Sequence, residues 1–260
     1  MKILITGGKG YIAKSIYSAL KDKYDITCTD RTDVELTSFS EVNRFFNQKY
    51  FDVVIHTAVK GGSRLKKETW QDADCNVMMY HNLLNHKNNY GKLIHFGSGA
   101  EKNCPDSPYS LSKRLIANSI REQENFYNIR IYAVFDENEL DTRFIKNNLI
   151  NYVAGNSLTV FKDMKMDFFY MPDLLKIVDR YINKKDMPKE IDCCYEKSFK
   201  LSEIANMINS LDSHSVPIVF LEDGKSSPYC GKFTDLGIKF VGIRKGIREV
   251  FNKISQKNEA

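Results

Sequence analysis

Lys2-Ile3-Leu4-Ile5-Thr6-Gly7-Gly8-Lys9-Gly10-Tyr11-Ile12-Ala13 opens the chain: an apolar run that breaks into glycines and then into an amphipathic pattern. The run Lys2–Thr6 predicts a strand, and Ile12, Ile16, Ala19 and Leu20 share one face of a helix over Gly10–Lys23. Between the two, Gly7 lets the chain turn sharply off the strand. Gly10 lets backbone approach a pyrophosphate at the helix N-terminus, and Ala13 is small enough for the helix to pack on the strand. A glycine string alone is common. Placed between a strand and a helix, it predicts a cradle for a dinucleotide.

The same rhythm continues. Asp25–Thr29 and Asp52–His56 read as strands around a helix over Ser38–Lys49, capped by Ser38 or Ser40. A glycine-containing loop at Lys60–Ser63 leads to a helix near Thr69–His86, and Lys92–Phe96 is a strand ending in Gly97-Ser98-Gly99. Ser107–Phe126 reads as a long helix with Pro108 in its first turn, where a missing N–H costs nothing, and Asn128–Val134 as the next strand. Strands alternating with helices of this length predict an α/β fold, a Rossmann-type doubly wound parallel sheet with right-handed crossovers.

Past Phe135 the alternation loosens into a helix over Asp141–Ala154, strands at Leu158–Phe161 and Asp167–Tyr170, and a helix begun by Pro172. A helix over Leu201–Leu211 and a terminal one near Lys245–Ile254 flank Val216–Leu221, and Gln256–Ala260 reads as a frayed end. The expected division is a dinucleotide-binding domain over residues 1–135 and a small C-terminal α+β substrate lobe over 136–260. A segment near 167–195 is expected to return to the sheet.

The 260 residues carry 42% hydrophobic and 27% charged side chains, ordinary for a soluble globular protein of one or two domains. The net charge of +5 is spread along the chain with no dense basic block, so neither nucleic acid nor a membrane surface is an expected partner. The six cysteines, Cys28, Cys75, Cys104, Cys193, Cys194 and Cys230, show no C-x-x-C spacing, and no metal site is expected. Only Ile3-Leu4-Ile5 precedes the glycines, and no run approaches the ~20 apolar residues of a membrane helix. The expectation is a cytoplasmic protein.

Asp30 ends the second strand and could accept hydrogen bonds from an adenosine ribose, which argues for NAD. Arg31 beside it, with Lys9 in the glycine loop, could instead pair with a 2′-phosphate. Two cations against one carboxylate favour NADP, with NAD the alternative. Further on, Tyr109 and Lys113 lie four apart on one helix and share a face. A free phenol titrates near ~10, and a nearby ammonium favours its phenolate and eases proton exchange. Ser98, at a strand's C-terminal edge, can hydrogen-bond the same substrate oxygen as Tyr109 and polarise it. These three are the expected catalytic residues, with Lys113 also holding the nicotinamide ribose.

Other side chains attract blander readings. His56 reads as structural, His81 and His86 as solvent-exposed, and Trp70 as packing at a helix start. Glu101 and Asp106 read as caps or solvated charges. Lys60, in the glycine loop, reads as a substrate contact or a solvated charge.

The chain resembles the extended short-chain dehydrogenase/reductases, the NAD-dependent epimerase/dehydratase family, through several segments. They are Ile5-Thr6-Gly7-Gly8-Lys9-Gly10-Tyr11-Ile12, Val54-Ile55-His56-Thr57-Ala58, Asn76, Ser98, Tyr109/Lys113, and Asp167-Phe168-Phe169-Tyr170-Met171-Pro172-Asp173. Within that superfamily the pattern is most similar to GDP-L-fucose synthase and related 4-keto-sugar reductases. Arg31-Thr32-Asp33-Val34-Glu35-Leu36, Ala58-Val59-Lys60-Gly61-Gly62 and Asn76-Val77-Met78-Met79 carry that likeness. The resemblance implies cofactor contacts from Gly7, Gly10, Tyr11, Ile12, Asp30, Arg31, Glu35, Leu36, Thr57, Ala58 and Lys113. It implies substrate contacts from Lys60, Gly99, Arg143 and Lys165, and a possible homodimer through the helices near Thr69–His86 and Ser107–Phe126.

The departures matter as much. The resembled synthase epimerises before it reduces, using a cysteine and a histidine at positions that here read Ala100 and Ile145, neither of which exchanges a proton. Met166 stands where the family often has an arginine for the substrate diphosphate. Only ten residues separate Ser98 from Tyr109, a short loop expected to open the sugar pocket. The resemblance therefore implies NADPH-dependent reduction of a 4-keto nucleotide-diphosphate sugar of deoxy- or heptose type, without epimerisation, for surface polysaccharide. The alternatives are an NAD-dependent nucleotide-sugar 4-epimerase with tightly bound cofactor, and a non-catalytic nucleotide-sensing module.

Overall fold

The structure, a computed structural model, describes residues 1–62, 67–104, 106–224 and 226–259. Ser63 of the expected glycine loop, Pro105 of the short loop before Tyr109 and Ala260 of the expected frayed end lie outside the described residues.

The first half runs β1 (Lys2–Thr6), α1 (Tyr11–Leu20), β2 (Asp25–Thr29), α2 (Phe39–Phe46), β3 (Val53–His56), α3 (Trp70–Asn85), β4 (Leu93–Ser98), α4 (Ala100–Asn103), α5 (Pro108–Arg121) and β5 (Phe126–Ile131). Then follow β6 (Val134–Phe135), α6 (Phe144–Val153), β7 (Leu158–Lys162), β8 (Lys165–Met166), β9 (Phe169–Tyr170), α7 (Met171–Asn183), β10 (Glu190–Cys193), β11 (Phe199–Lys200), α8 (Leu201–Asn209), β12 (Ile218–Glu222) and α9 (Ile243–Glu259). The chain forms two compact units, Met1–Arg130 with Val178–Ile191, and Ile131–Ile177 with Asp192–Ala260.

The first unit is built on a Rossmann-like sheet of order β2-β1-β3-β4-β5-β10. β1 pairs in parallel with β2 on one side and β3 on the other, and β3 pairs in parallel with β4. Ile3, Leu4 and Ile5 are at most 1% exposed, as an unbroken apolar strand covered on both faces requires. Burying each such side chain contributes about 1.5–3 kcal/mol. Helix starts follow their capping signals. Ser38 accepts from the Glu41 N–H, Thr69 and Asp72 form a capping box, and Ser107 accepts from the Ser110 N–H with Pro108 at the first helical position.

The chain leaves β1 toward β2 and returns on its other side to β3. That reversal opens a crevice at the carboxyl ends of β1 and β3, where ligands gather in such sheets.

The structure departs from the sequence reading at several elements. α5 stops at Arg121 instead of continuing to Phe126. Phe126 and Tyr127, 5% and 4% exposed, are buried instead as the first residues of β5. The short loop after Ser98 contains the helical turn α4. The end expected to fray is helical to Glu259.

The second unit has its own core, in which Tyr152 of α6, Leu158 of β7, Ile204 of α8 and Ile247 and Val250 of α9 are fully buried. β7 pairs in parallel with β12, β6 in parallel with β9, and β8 antiparallel with β11. Within this unit the buried Asp173 carboxylate accepts from the Val241 and Gly242 N–H groups and the Tyr195 hydroxyl, fastening the segment that leads into α9. Among the described residues, no helix is long and apolar enough to cross a membrane, and no group of three or more His, Cys, Asp or Glu is placed to hold a metal ion.

Candidate active site

The crevice between β1 and β3 is lined by the glycine turn. Gly7 has φ +70°, and a Cβ there would lie 2.8 Å from both the Cα and the N of Ala58. The ends of β1 and β3 thus touch through a position that tolerates no side chain. Replacing Gly7 with Ala is expected to cost about 1–2 kcal/mol for the left-handed conformation alone, plus the overlap with Ala58. Urea unfolding should show a loss of at least that size; an unchanged midpoint would contradict the geometry.

The Gly10 N–H donates to the Gly7 oxygen at 2.8 Å, and α1 begins at Tyr11 with no side-chain cap and no acid in its first turn. An anion is the natural complement of that positive end. Ala13 is fully buried.

A cavity of about 270 Å³ opens beside this turn, lined among others by Gly7, Gly10, Asp30, Arg31, Glu35, Leu36, Thr57, Ala58 and Lys60. Tyr11 and Ile12 sit half-buried in the first turn of α1 and are not part of that lining. Asp30 pairs with Lys9 at 2.8 Å and accepts from the Thr32 N–H and hydroxyl, which hold its carboxyl down at about 2. Arg31 pairs with Glu35 at 3.3 Å. The Asp30 carboxylate therefore engages Lys9, not its neighbour Arg31. The glycine cradle and this cavity fit the pyrophosphate and adenosine of a dinucleotide.

On the next strand, Ser98 ends β4 at 8% exposure. Its Oγ accepts the Ala100 N–H at 3.2 Å, which leaves the hydroxyl proton to donate elsewhere. Two contacts bracket it against α5. The Lys113 Nζ donates to the Phe96 oxygen at 2.6 Å, and the Ser110 hydroxyl to the Ala100 oxygen at 2.5 Å. Lys113, 4% exposed, lies 5.8 Å from the centre of the Tyr109 ring. Burial pulls its ammonium down to about 8, with the Glu101 carboxylate opposing.

The loop after β3 covers the phenol. Gly62 has φ +72°, and a Cβ there would sit 2.9 Å from Tyr109 Cζ and 3.2 Å from its hydroxyl. Asn76 pins that loop, accepting the Lys60 N–H at 2.7 Å and donating to the Lys60 oxygen at 2.8 Å and the Ser112 hydroxyl at 3.3 Å. The Lys60 ammonium donates to the Cys75 sulfur at 3.1 Å.

The remaining predicted residues are placed as follows. Gly99 precedes α4 in the first unit. In the second unit Arg143 is exposed at the N-terminus of α6, and Lys165 is exposed on β8. Ala100 is 7% and Ile145 1% exposed, so both stand as packed apolar side chains.

Several bland readings change. Glu101 is 7% exposed and so is not a solvated charge. Its Oε1 accepts the Ser98 N–H at 2.8 Å, which is the carboxylate half of the Ser98-x-x-Glu101 capping-box spacing; the Ser98 Oγ takes the Ala100 N–H in place of the other half. His86 is buried and bonds the Asn82 oxygen at 2.8 Å, because Phe46 stacks on its ring. Trp70 is 61% exposed instead of packed. His56 bonds the Thr6 hydroxyl at 2.8 Å, and burial holds its imidazole at about 3, neutral. His95, 1% exposed and 3.4 Å from the Lys113 Nζ, carried no periodic signal that would separate it from the other strand residues.

A parallel sheet with its crevice at the strand ends, a glycine cradle at the first turn, and a serine, tyrosine and lysine at the next strand and helix define a Rossmann-fold class of nucleotide-dependent protein. Residues 3–194 match the family described as the NAD dependent epimerase/dehydratase family, and the chain belongs to it. No curated protein sequence matches the chain. Among solved structures, the fold is similar to a GDP-6-OMe-4-keto-L-xylo-heptose reductase from C. jejuni, at TM-score 0.80 and 16% identity over 99% of this chain and 98% of that one. It is also similar to a GDP-mannoheptose C4 reductase from Campylobacter jejuni with NADP bound, at TM-score 0.79 and 18% identity over 96% and 97%. A UDP-glucose 4-epimerase from Thermotoga maritima gives TM-score 0.79 and 15% identity over 99% and 100%. At such identities the likeness is one of fold.

Proposed function

We propose that the protein reduces the 4-keto group of a nucleotide-diphosphate sugar, of deoxy- or heptose type, with NADPH and without epimerisation, in the making of surface polysaccharide. One observation carries the redox reading: Lys113 is buried beside Tyr109 and tied to the end of the strand that presents Ser98. The glycine turn, Tyr11, Ile12, Asp30, Arg31, Glu35, Leu36, Thr57 and Ala58 would hold the coenzyme, which when bound supplies hydride to the carbonyl carbon. Ser98 donates to the carbonyl oxygen and polarises it. Tyr109 gives that oxygen its proton, and Lys113 stabilises the phenolate left behind while anchoring the nicotinamide ribose. Lys60, Gly99, Arg143 and Lys165 are the proposed substrate contacts, with Lys165 or Arg143 serving the diphosphate.

Arg31 and Lys9 at the end of β2 and in the glycine loop support NADP, and the two C. jejuni neighbours, both described as reductases, support reduction. Ala100 and Ile145, packed and apolar where the resembled synthase uses a cysteine and a histidine, support reduction alone. Asp30 favours the competing reading, a nucleotide-sugar 4-epimerase that retains NAD.

Incubation in D₂O with NADPH and a panel of 4-keto nucleotide sugars is expected to oxidise the coenzyme and leave the carbons beside the new hydroxyl free of deuterium. No oxidation anywhere in the panel would contradict reduction. Deuterium at those carbons would restore epimerisation. Purified protein carrying NAD and needing no added coenzyme would favour the 4-epimerase.

A further inference from the structure

Under the carboxyl end of β4 lies a buried ionic cluster that no step above uses. Glu101 of α4, 7% exposed, meets Arg130 of β5, 5% exposed, at 3.3 Å, and the Asn128 amide at 3.2 Å. Arg130 also pairs with Glu190 of β10 at 3.0 Å. The site is built around the carboxylate. A Cβ at Gly97 would fall 2.4 Å from Glu101 Oε1 and 2.3 Å from the Asn128 oxygen, so only glycine admits the group here.

We propose that Glu101 is a positioning residue whose buried carboxylate fixes Ser98 through its backbone N–H and keeps Lys113 in its ammonium form. This rests on the reading of Ser98 and Lys113 as reacting groups. The carboxylate faces inward, toward Gly97 and Arg130, so it anchors and does not exchange protons with a substrate. The Ser98 N–H donates to it at 2.8 Å while the Ser98 Oγ accepts the Ala100 N–H, and the serine is held from both its backbone and its side chain. That leaves the hydroxyl proton as the group free to be aimed.

The charge acts on Lys113. Among the described residues, the titratable groups that interact with that ammonium are His95 on β4, 3.4 Å from it, Tyr109 one turn back on α5, and, electrostatically, His56 on β3 and Glu101. Burial keeps both imidazoles neutral. Of these groups, Glu101 alone supplies negative charge while Tyr109 keeps its proton. Arg130 offsets it in part: that guanidinium is divided between Glu101 and Glu190, and Glu190 is itself paired with Arg121 at 3.0 Å. Burial draws the Lys113 ammonium down to about 8, and without the carboxylate it would fall further.

The sign then fixes the pH behaviour. In the reductive direction the phenolate left on Tyr109 needs the ammonium beside it, so the rate falls as pH rises through the Lys113 value. Glu101→Gln moves that alkaline limb to lower pH. Three measurements on the full chain test this: kcat against pH, NADPH affinity by fluorescence, and the titration midpoint of the Lys113 ε-carbon by ¹³C NMR without substrate. The NMR signal is assigned by its absence in Lys113→Arg.

For Glu101→Gln, kcat is expected to fall about ten- to a hundredfold with NADPH affinity unchanged. Its limb and NMR midpoint are expected to drop by about one pH unit. Glu101→Asp keeps the charge but is too short for the Ser98 N–H, so it should lose kcat and retain the midpoint; it decides the matter should the glutamine variant not fold. Unchanged kcat in either variant, or a lowered kcat with an unmoved midpoint in Glu101→Gln, would overturn the proposal. Wild-type protein that oxidises no NADPH would sink the reductase reading, while the NMR midpoint would still decide the hold of Glu101 on Lys113.

Discussion

Phenylalanine at Tyr109 is expected to lower kcat for NADPH-dependent reduction about a thousandfold and to leave NADPH affinity within twofold of wild type. The substitution removes one oxygen and nothing else. The ring still fills the space beneath Gly61 and Gly62, since the closest approach of a Gly62 Cβ is to Tyr109 Cζ and not to the hydroxyl. The glycine turn and the lining of the coenzyme cavity belong to other elements and stay as they are. Only the proton donor is lost. Steady-state kinetics with a fluorescence titration of NADPH would separate the two quantities. Turnover that survives the change would remove Tyr109 from the reaction.

Methionine at Lys113 should do more, because one ammonium is assigned two tasks. Turnover is expected to fall about a thousandfold or more, and NADPH affinity about tenfold as the ribose anchor disappears. The protein itself should survive. Lys113 is 4% exposed, and burial opposes its charge, so an apolar chain of similar length removes a desolvation cost. The linkage has a definite sign. The folded value, about 8, lies below that of a free lysine near ~10.4, so the unfolded chain binds the extra proton across that window. Lys113 therefore makes stability rise with pH between the two values. Urea unfolding of wild type and Lys113→Met at several pH values should show that increment in the former and not in the latter. Equal slopes would mean that the lysine is not desolvated as described.

Much of the first unit was legible because its elements are long and their signals local. An unbroken apolar strand, a glycine turn and capped helices identify themselves without knowledge of what packs against them. β1 and β2 were read to the residue, and the start of α5 to within one. The end of α5 was not, since Glu122 to Asn125 continue a plausible helix and only the sheet decides that Phe126 and Tyr127 belong to it. In the second unit, β6, β8, β9 and β11 are two residues each, too short for any periodicity to register.

The candidate site divides the same way. Gly7, Ser98, Tyr109 and Lys113 declare themselves by spacing. Glu101 and His95 depend on tertiary burial, which turns a loop carboxylate into an anchored charge and a strand imidazole into a neutral neighbour of Lys113. The Ser98-x-x-Glu101 spacing was the one local clue. Arg130 and Asn128 alternate on β5, as a strand with one face toward a polar cluster requires, and nothing in the sequence names their partner.

The most direct test is a crystal structure of the protein with NADP and a 4-keto nucleotide sugar or its reduced product. The account predicts the Tyr109 and Ser98 hydroxyls both within about 2.6–3.2 Å of the same sugar oxygen, with the nicotinamide ring beside them and Lys113 on its ribose. A nicotinamide ring far from Tyr109, or a sugar oxygen that neither hydroxyl can reach, would contradict it.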